Sequence, residues 1–119
     1  MIRASTKGRL FNLTLTGDLT LHDMIDARTY VELNADFEHN HAVLWDLTGA
    51  SFNLPDEDYR VLFKQAVKDD LDSYKRAFLV VHSQHRDRLE HILGRASLPW
   101  PWAVFDSRDL ALGWLSIPS

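Results

Sequence analysis

Ala42-Val43-Leu44-Trp45-Asp46-Leu47 is an almost unbroken apolar run, and Thr48-Gly49-Ala50-Ser51-Phe52 follows it directly. A run this short, apolar at both odd and even positions, is the pattern of a β-strand covered on both faces. Ala77 to Val81 and Trp102 to Phe105 read the same way. The three stretches predict the centre of a sheet.

Working outward, Arg9 to Thr16 alternates, with Phe11, Leu13 and Leu15 on one face and Asn12, Thr14 and Thr16 on the other. That is the period of a half-buried strand. Ile2 to Thr6 pairs with it across a turn at Lys7 and Gly8, where glycine tolerates the positive φ of a tight hairpin. After Gly17 and Asp18 the period becomes helical. Thr20 and Asp23 have the spacing of a capping box, and Leu21, Met24, Ile25, Arg28 and Val31 recur toward a predicted end near Asn34. Pro55 suits a first helical position, and Asp56, Glu57 and Asp58 complement the positive helix end. Tyr59, Leu62, Phe63, Ala66, Val67 and Leu71 then make one apolar stripe. Ser83 is placed to cap a third helix running to about Arg95, with Leu89, Ile92 and Leu93 inward and Arg86, Asp87, Arg88 and Glu90 solvated. A last helix after Asp106 or Ser107 is expected to bury Leu110, Ala111, Trp114 and Leu115 and to stop by Pro118.

The order β-β-α-β-α-β-α-β-α predicts a single-domain α/β protein. Its sheet is mixed, an N-terminal hairpin plus parallel strands, with about four helices. In such sheets, sites lie beyond the carboxyl ends of the strands. Those ends carry Asp46 and Thr48, then His82 and Ser83, then Asp106 and Ser107.

The chain has 119 residues, a size that supports one core. Thirteen Lys and Arg against 17 Asp and Glu give a net charge of −4, which argues against a nucleic-acid partner. With no cysteine, there is no thiol chemistry and no cysteine-ligated metal. No apolar run approaches the roughly 20 residues that span a bilayer. No signal peptide is read at Met1 to Lys7, so the expectation is a cytoplasmic protein without membrane insertion.

Chemistry-bearing motifs are sparse. Gly49 belongs to no phosphate-binding glycine pattern, so no nucleotide and no other cofactor is expected. Glu38, His39 and His41 lack a third ligand at metal spacing. His85 and His91 are too far apart on one helix to share a turn, so no metal site is expected. Ser51 or Ser83 with His82 and Asp46 supplies the residue types of a hydrolase triad, but no Gly-x-Ser-x-Gly elbow accompanies them. Trp45 and Trp114 read as core. Trp100 and Trp102, flanked by Pro99 and Pro101, read as cover for the sheet edge.

The strand that ends in Asp46-Leu47-Thr48-Gly49-Ala50-Ser51-Phe52, followed by a helix, resembles the signature region of STAS domains, the SpoIIAA-like fold of anti-sigma-factor antagonists. Leu44-Trp45-Asp46-Leu47 and Val104-Phe105-Asp106-Ser107-Arg108-Asp109, with Ala111, Trp114 and Leu115, are similar to small bacterial STAS-like proteins. The resemblance covers residues 9 to 115 in element order. It implies a non-catalytic regulatory module that binds a protein partner. The family's phosphoacceptor stretch, Asp-Ser-Ser-Gly, falls on Leu54-Pro55-Asp56-Glu57, where neither serine position holds a hydroxyl. The implied module therefore lacks the usual phosphoacceptor serine, and Asp56 places a fixed charge near the same helix end. The docking residues expected on this reading are Thr48, Gly49, Ser51 and Asp56.

The alternative is a carrier or sensor of a lipid-like apolar molecule. It is motivated by large side chains along the helices (Met24, Tyr30, Phe37, Tyr59, Phe63 and Trp114) and by the similarity of this fold to CRAL-TRIO lipid-binding domains. A homodimer formed by covering an edge strand is compatible with either reading.

Overall fold

The computed structural model describes residues 2–33, 42–52, 54–68, 75–95 and 101–115. Phe37, Glu38, His39, His41, Leu71, Pro99, Trp100, Pro118 and the predicted helix end near Asn34 lie outside them. Two strands, β1 (Ile2–Lys7) and β2 (Leu10–Leu19), form the predicted hairpin, with Ile2 opposite Leu15 and Lys7 opposite Leu10. The turn falls at Gly8 and Arg9, one residue later than expected. Gly8 has φ +61°, a conformation costly for a residue with a Cβ.

The remaining elements follow the predicted order. They are α1 (Leu21–Leu33), β3 (Ala42–Phe52), α2 (Asp56–Lys68), β4 (Arg76–Leu79), α3 (Ser83–Arg95), β5 (Trp102–Phe105) and α4 (Arg108–Leu115). The strands lie side by side in chain order, β1-β2-β3-β4-β5, antiparallel at the hairpin and parallel across β2 to β5. The centre is therefore β2, β3 and β4. Trp102–Phe105 forms an edge strand of half-buried residues and not part of the centre, as its sequence had suggested. Its apolar run packs one side chain after another against helices on either face, which an edge position permits.

This strand order dictates the layers. Each step from β2 to β5 moves the same way, so crossovers of one hand all fall on one face of the sheet. Helices α1, α2 and α3 accordingly share one core with Phe11, Leu13 and Leu15 of β2, Val43, Trp45 and Leu47 of β3, and Phe78 of β4. Phe11, Leu13 and Leu15 are each 0% exposed, a burial that stabilises by about 1.5–3 kcal/mol per side chain. Helix α4 follows the last strand and has no crossover to make. It covers the other face through Ala111, Leu112 and Leu115 against Leu10, Ala42, Leu44, Ala77 and Leu79. Leu112 is buried, whereas Leu110, predicted to point inward, is 61% exposed. Five apolar residues crowd this short helix, and Ala111, Leu112 and Leu115 are the ones that meet the strands beneath.

The caps explain where the helices start. The Thr20 amide donates to Asp23 Oδ2 at 2.9 Å and the Asp23 amide to Thr20 Oγ1 at 3.2 Å, the reciprocal capping box. The backbone bond to Thr20 leads the causes that hold the Asp23 carboxyl below its ordinary value. Pro55 precedes α2 and accepts the amides of Asp58 and Tyr59 on its carbonyl. His82, not Ser83, occupies the cap position of α3, since the Arg86 amide donates to the His82 carbonyl at 3.0 Å. Ser107 caps α4 through its carbonyl and its Oγ. At the far end, Lys75 Nζ donates to the Trp114 carbonyl at 3.2 Å, a cation at the negative end of α4.

Candidate functional site

The carboxyl ends of β2 to β5 and the starts of all four helices gather along one rim of the sheet. Thr14 lies opposite Asp46, and Thr16 lies opposite Gly49, so β3 carries one residue more than β2 over this step. Such a bulge leaves a residue outside the ladder and sharpens the local twist. The Asp46 carboxylate serves it. Its Oδ1 accepts the Thr48 amide at 3.1 Å and the Thr48 hydroxyl at 2.7 Å, while Arg108 stands 4.0 Å from Oδ2.

Beyond the bulge β3 continues, with Gly49, Ala50, Ser51 and Phe52 opposite Thr16, Gly17, Asp18 and Leu19. The expected strand end at Leu47 is thus corrected. Gly49 and Ser51 stand on a paired strand, with Thr48 in the bulge before them, because β2 itself runs past Thr16 to Leu19. Gly17 adopts φ +89° beside the bulge. A Cβ on Gly49 would sit 3.1 Å from Thr16 Cγ2, so glycine lets the two strands approach here.

Thr48, Gly49 and Ser51 are exposed, which brings three of the four expected docking residues onto one strand end. Asp56 is also exposed but lies across the β3–α2 connection as the first residue of α2. Its carboxylate is not solitary. Arg88 of α3 donates to Asp56 Oδ1 at 3.1 Å and to the Leu54 carbonyl, and its guanidinium lies 5.6 Å from the Tyr59 ring centroid. Burial pushes the Tyr59 phenol up to about 12, more strongly than the nearby Arg88 charge draws it down.

Arg86, on the same helix, donates to Asp106 Oδ2 at 2.8 Å, at the end of β5. Both arginines were expected to be solvated, yet their side chains are 31% and 36% exposed and tie two neighbouring connections to α3. The sequence held a signal for this. The first turn of α3 has no acidic residue and carries Arg86 against the helix dipole, an arrangement favourable only when carboxylates come from elsewhere.

Asp46, Ser51 and His82, weighed as members of a hydrolase set, each have contacts outside it. Asp46 is engaged by Thr48 and Arg108, and Ser51 sits in the strand ladder. The His82 ring meets the half-buried His85 edge-on at 5.7 Å. Among the described residues no three His, Asp or Glu side chains cluster as a metal site, and no helix is long and apolar enough to cross a membrane.

The large side chains weighed as a cavity lining diverge. Met24 and Tyr59 lie in the core under α1 to α3, Trp114 packs on the opposite face beside Phe105, and Tyr30 is 49% exposed. The Phe63 side chain lies outside the described residues.

No family model matches the chain, and no curated protein does. Among solved structures, it is similar to an uncharacterised protein of the DUF3478 family with a SpoIIAA-like fold from Shewanella loihica PV-4. The two are 16% identical with a TM-score of 0.60, over 97% of this chain and 92% of that one. The likeness establishes the fold as SpoIIAA-like, with a mixed sheet of five strands and four helices among the described residues.

Proposed function

We propose, from the SpoIIAA-like fold as premise, that the chain is a non-catalytic cytoplasmic module that binds a regulatory protein partner. The docking surface is the strand-end rim presented by Thr48, Gly49, Ser51 and Asp56. The observation that carries this reading is the strand order. Small ligands of open α/β sheets settle where the order reverses and neighbouring crossovers part to opposite faces. Among the described strands the parallel order from β2 to β5 never reverses, so the crossovers share one layer and the order supplies no such parting point.

The chemistry of the rim supports the same reading. Asp46, Asp56 and Asp106 are each committed to a neighbouring threonine or arginine, so they brace the connections instead of converging on a reacting atom. Ser51 is held on a paired strand and Thr48 at the bulge by its bonds to Asp46, where exposed side chains lose little freedom on contact. The Asp56 charge stands where the STAS-like resemblance has its phosphoacceptor stretch.

Replacing Thr48, Ser51 and Asp56 together with alanine is expected to weaken a partner isolated from the native host by tenfold or more, with Arg3 and Ser5 on β1 substituted as the control. Equal loss from both sets, or none from the rim set, overturns the assignment. A lipid mass on the freshly purified chain in native mass spectrometry would favour the carrier reading instead.

A further inference from the structure

We infer that Arg88 is a clasp that holds the β3–α2 connection, and with it the first turn of α2, in the conformation presented at the rim. The inference deepens the docking proposal by naming what controls the shape of that surface, and rests on it for its functional meaning.

Three contacts converge on one guanidinium. It donates to the Leu54 carbonyl, donates to the Asp56 carboxylate at 3.1 Å, and lies over the ring of Tyr59. These three residues bracket the start of α2 from the last buried residue before it, Leu54 at 6% exposure, to its first core residue, Tyr59 at 2%. Pro55 has no N–H to give, and the bonds that close the first turn run from Asp58 and Tyr59 to the Pro55 carbonyl, the Tyr59 bond stretched to 3.4 Å. A neighbouring helix adds the two Arg88 hydrogen bonds to these. The planar fork of arginine meets a carbonyl and a carboxylate together while its face covers a ring, a combination that a lysine ammonium does not reproduce.

The clasp is accessible from outside. The Arg88 side chain is 36% exposed and Asp56 67%. Competition for either charge at the rim would loosen the turn on which Asp56 sits, so the first turn of α2 is the part of the docking surface built to respond to what binds there.

Hydrogen exchange on the free chain tests this without any partner, and so separately from docking. In Arg88→Gln, the amides of Asp58 to Leu62 are expected to exchange at least about tenfold faster, as loss of a charge-assisted contact to a local unit predicts, with β2, β3 and the second half of α3 unchanged. Arg88→Lys should fall between the two, and Asp56→Asn should reproduce part of the effect. Unchanged exchange at Asp58 to Leu62, or equal acceleration over the whole chain, overturns the clasp. If the clasp behaves as described while the rim alanines leave partner binding intact, docking fails and the clasp stands as a local structural device.

Discussion

Replacing Asp46 with alanine removes the single acceptor that takes both the amide and the hydroxyl of Thr48 at the β3 bulge. Hydrogen bonds to a charged group contribute about 1.5–3 kcal/mol each when shielded. Thr48 is exposed, and water replaces part of what it loses, which brings the expected cost to about 1–3 kcal/mol for the pair. The Arg108 contact at 4.0 Å adds little at its exposure. For a chain of this size that range lowers the melting temperature by roughly 4–15 °C. Thr48→Val keeps the amide bond and loses the hydroxyl, for about 0.5–1.5 kcal/mol. The double variant should cost less than the sum of the single ones by about 0.5 kcal/mol or more, because both act on one oxygen. Urea unfolding of the four proteins reads all of these values. An Asp46→Ala variant within about 0.5 kcal/mol of the parent, or strict additivity, would refute the view that this carboxylate braces the bulge.

Leu112→Ala should cost about 2–5 kcal/mol, whereas Leu110→Ala should stay within about 0.5 kcal/mol; denaturant unfolding that reverses the order would mean α4 faces the sheet differently. The Tyr59 phenol is raised to about 12 in the fold, so its contribution to stability is intact below the ordinary tyrosine value of 10.0 and declines as pH rises toward 12. Tyr59→Phe should remove a phenolate transition near pH 12 in near-ultraviolet absorbance and flatten that decline. Asp23 behaves oppositely: its carboxyl is held below the ordinary 3.8, so its contribution is present above that value and is lost as pH falls through the lowered one, and Asp23→Asn should flatten the acid limb of a stability profile. Gly49→Val should destabilise the paired ends of β2 and β3, with partial relief when Thr16→Ser removes the methyl group it meets, a relief that thermal melts of the single and double variants would show.

The sequence carried the fold where hydrophobic pattern and cap chemistry agreed. The alternation of Phe11, Leu13 and Leu15, the continuous run from Ala42, and the Thr20 and Asp23 pair each correspond to one physical demand, and each was legible. The extension of β3 through Phe52 was not, because the apolar run stops at Leu47 and the bulge that carries the strand past it shows only against the partner strand. Leu110 and Leu112 were exchanged because both fit an apolar stripe and only the strands beneath decide. Three of the four expected docking residues lie at the end of β3 and Asp56 opens α2, whereas Arg86 and Arg88, which pair with carboxylates near the strand ends, were read as solvent-facing. Their carboxylate partners lie 20 and 32 residues away in sequence, at Asp106 and Asp56, where no local spacing rule reaches.

A photo-crosslinking residue placed at Ser51, and separately at Ser5 on β1, tests the central claim in living cells of the native host. The rim account predicts one dominant protein adduct from Ser51, absent from Ser5 and lost when Thr48 and Asp56 are also replaced. Adducts that form equally from both positions, or only from Ser5, would contradict it.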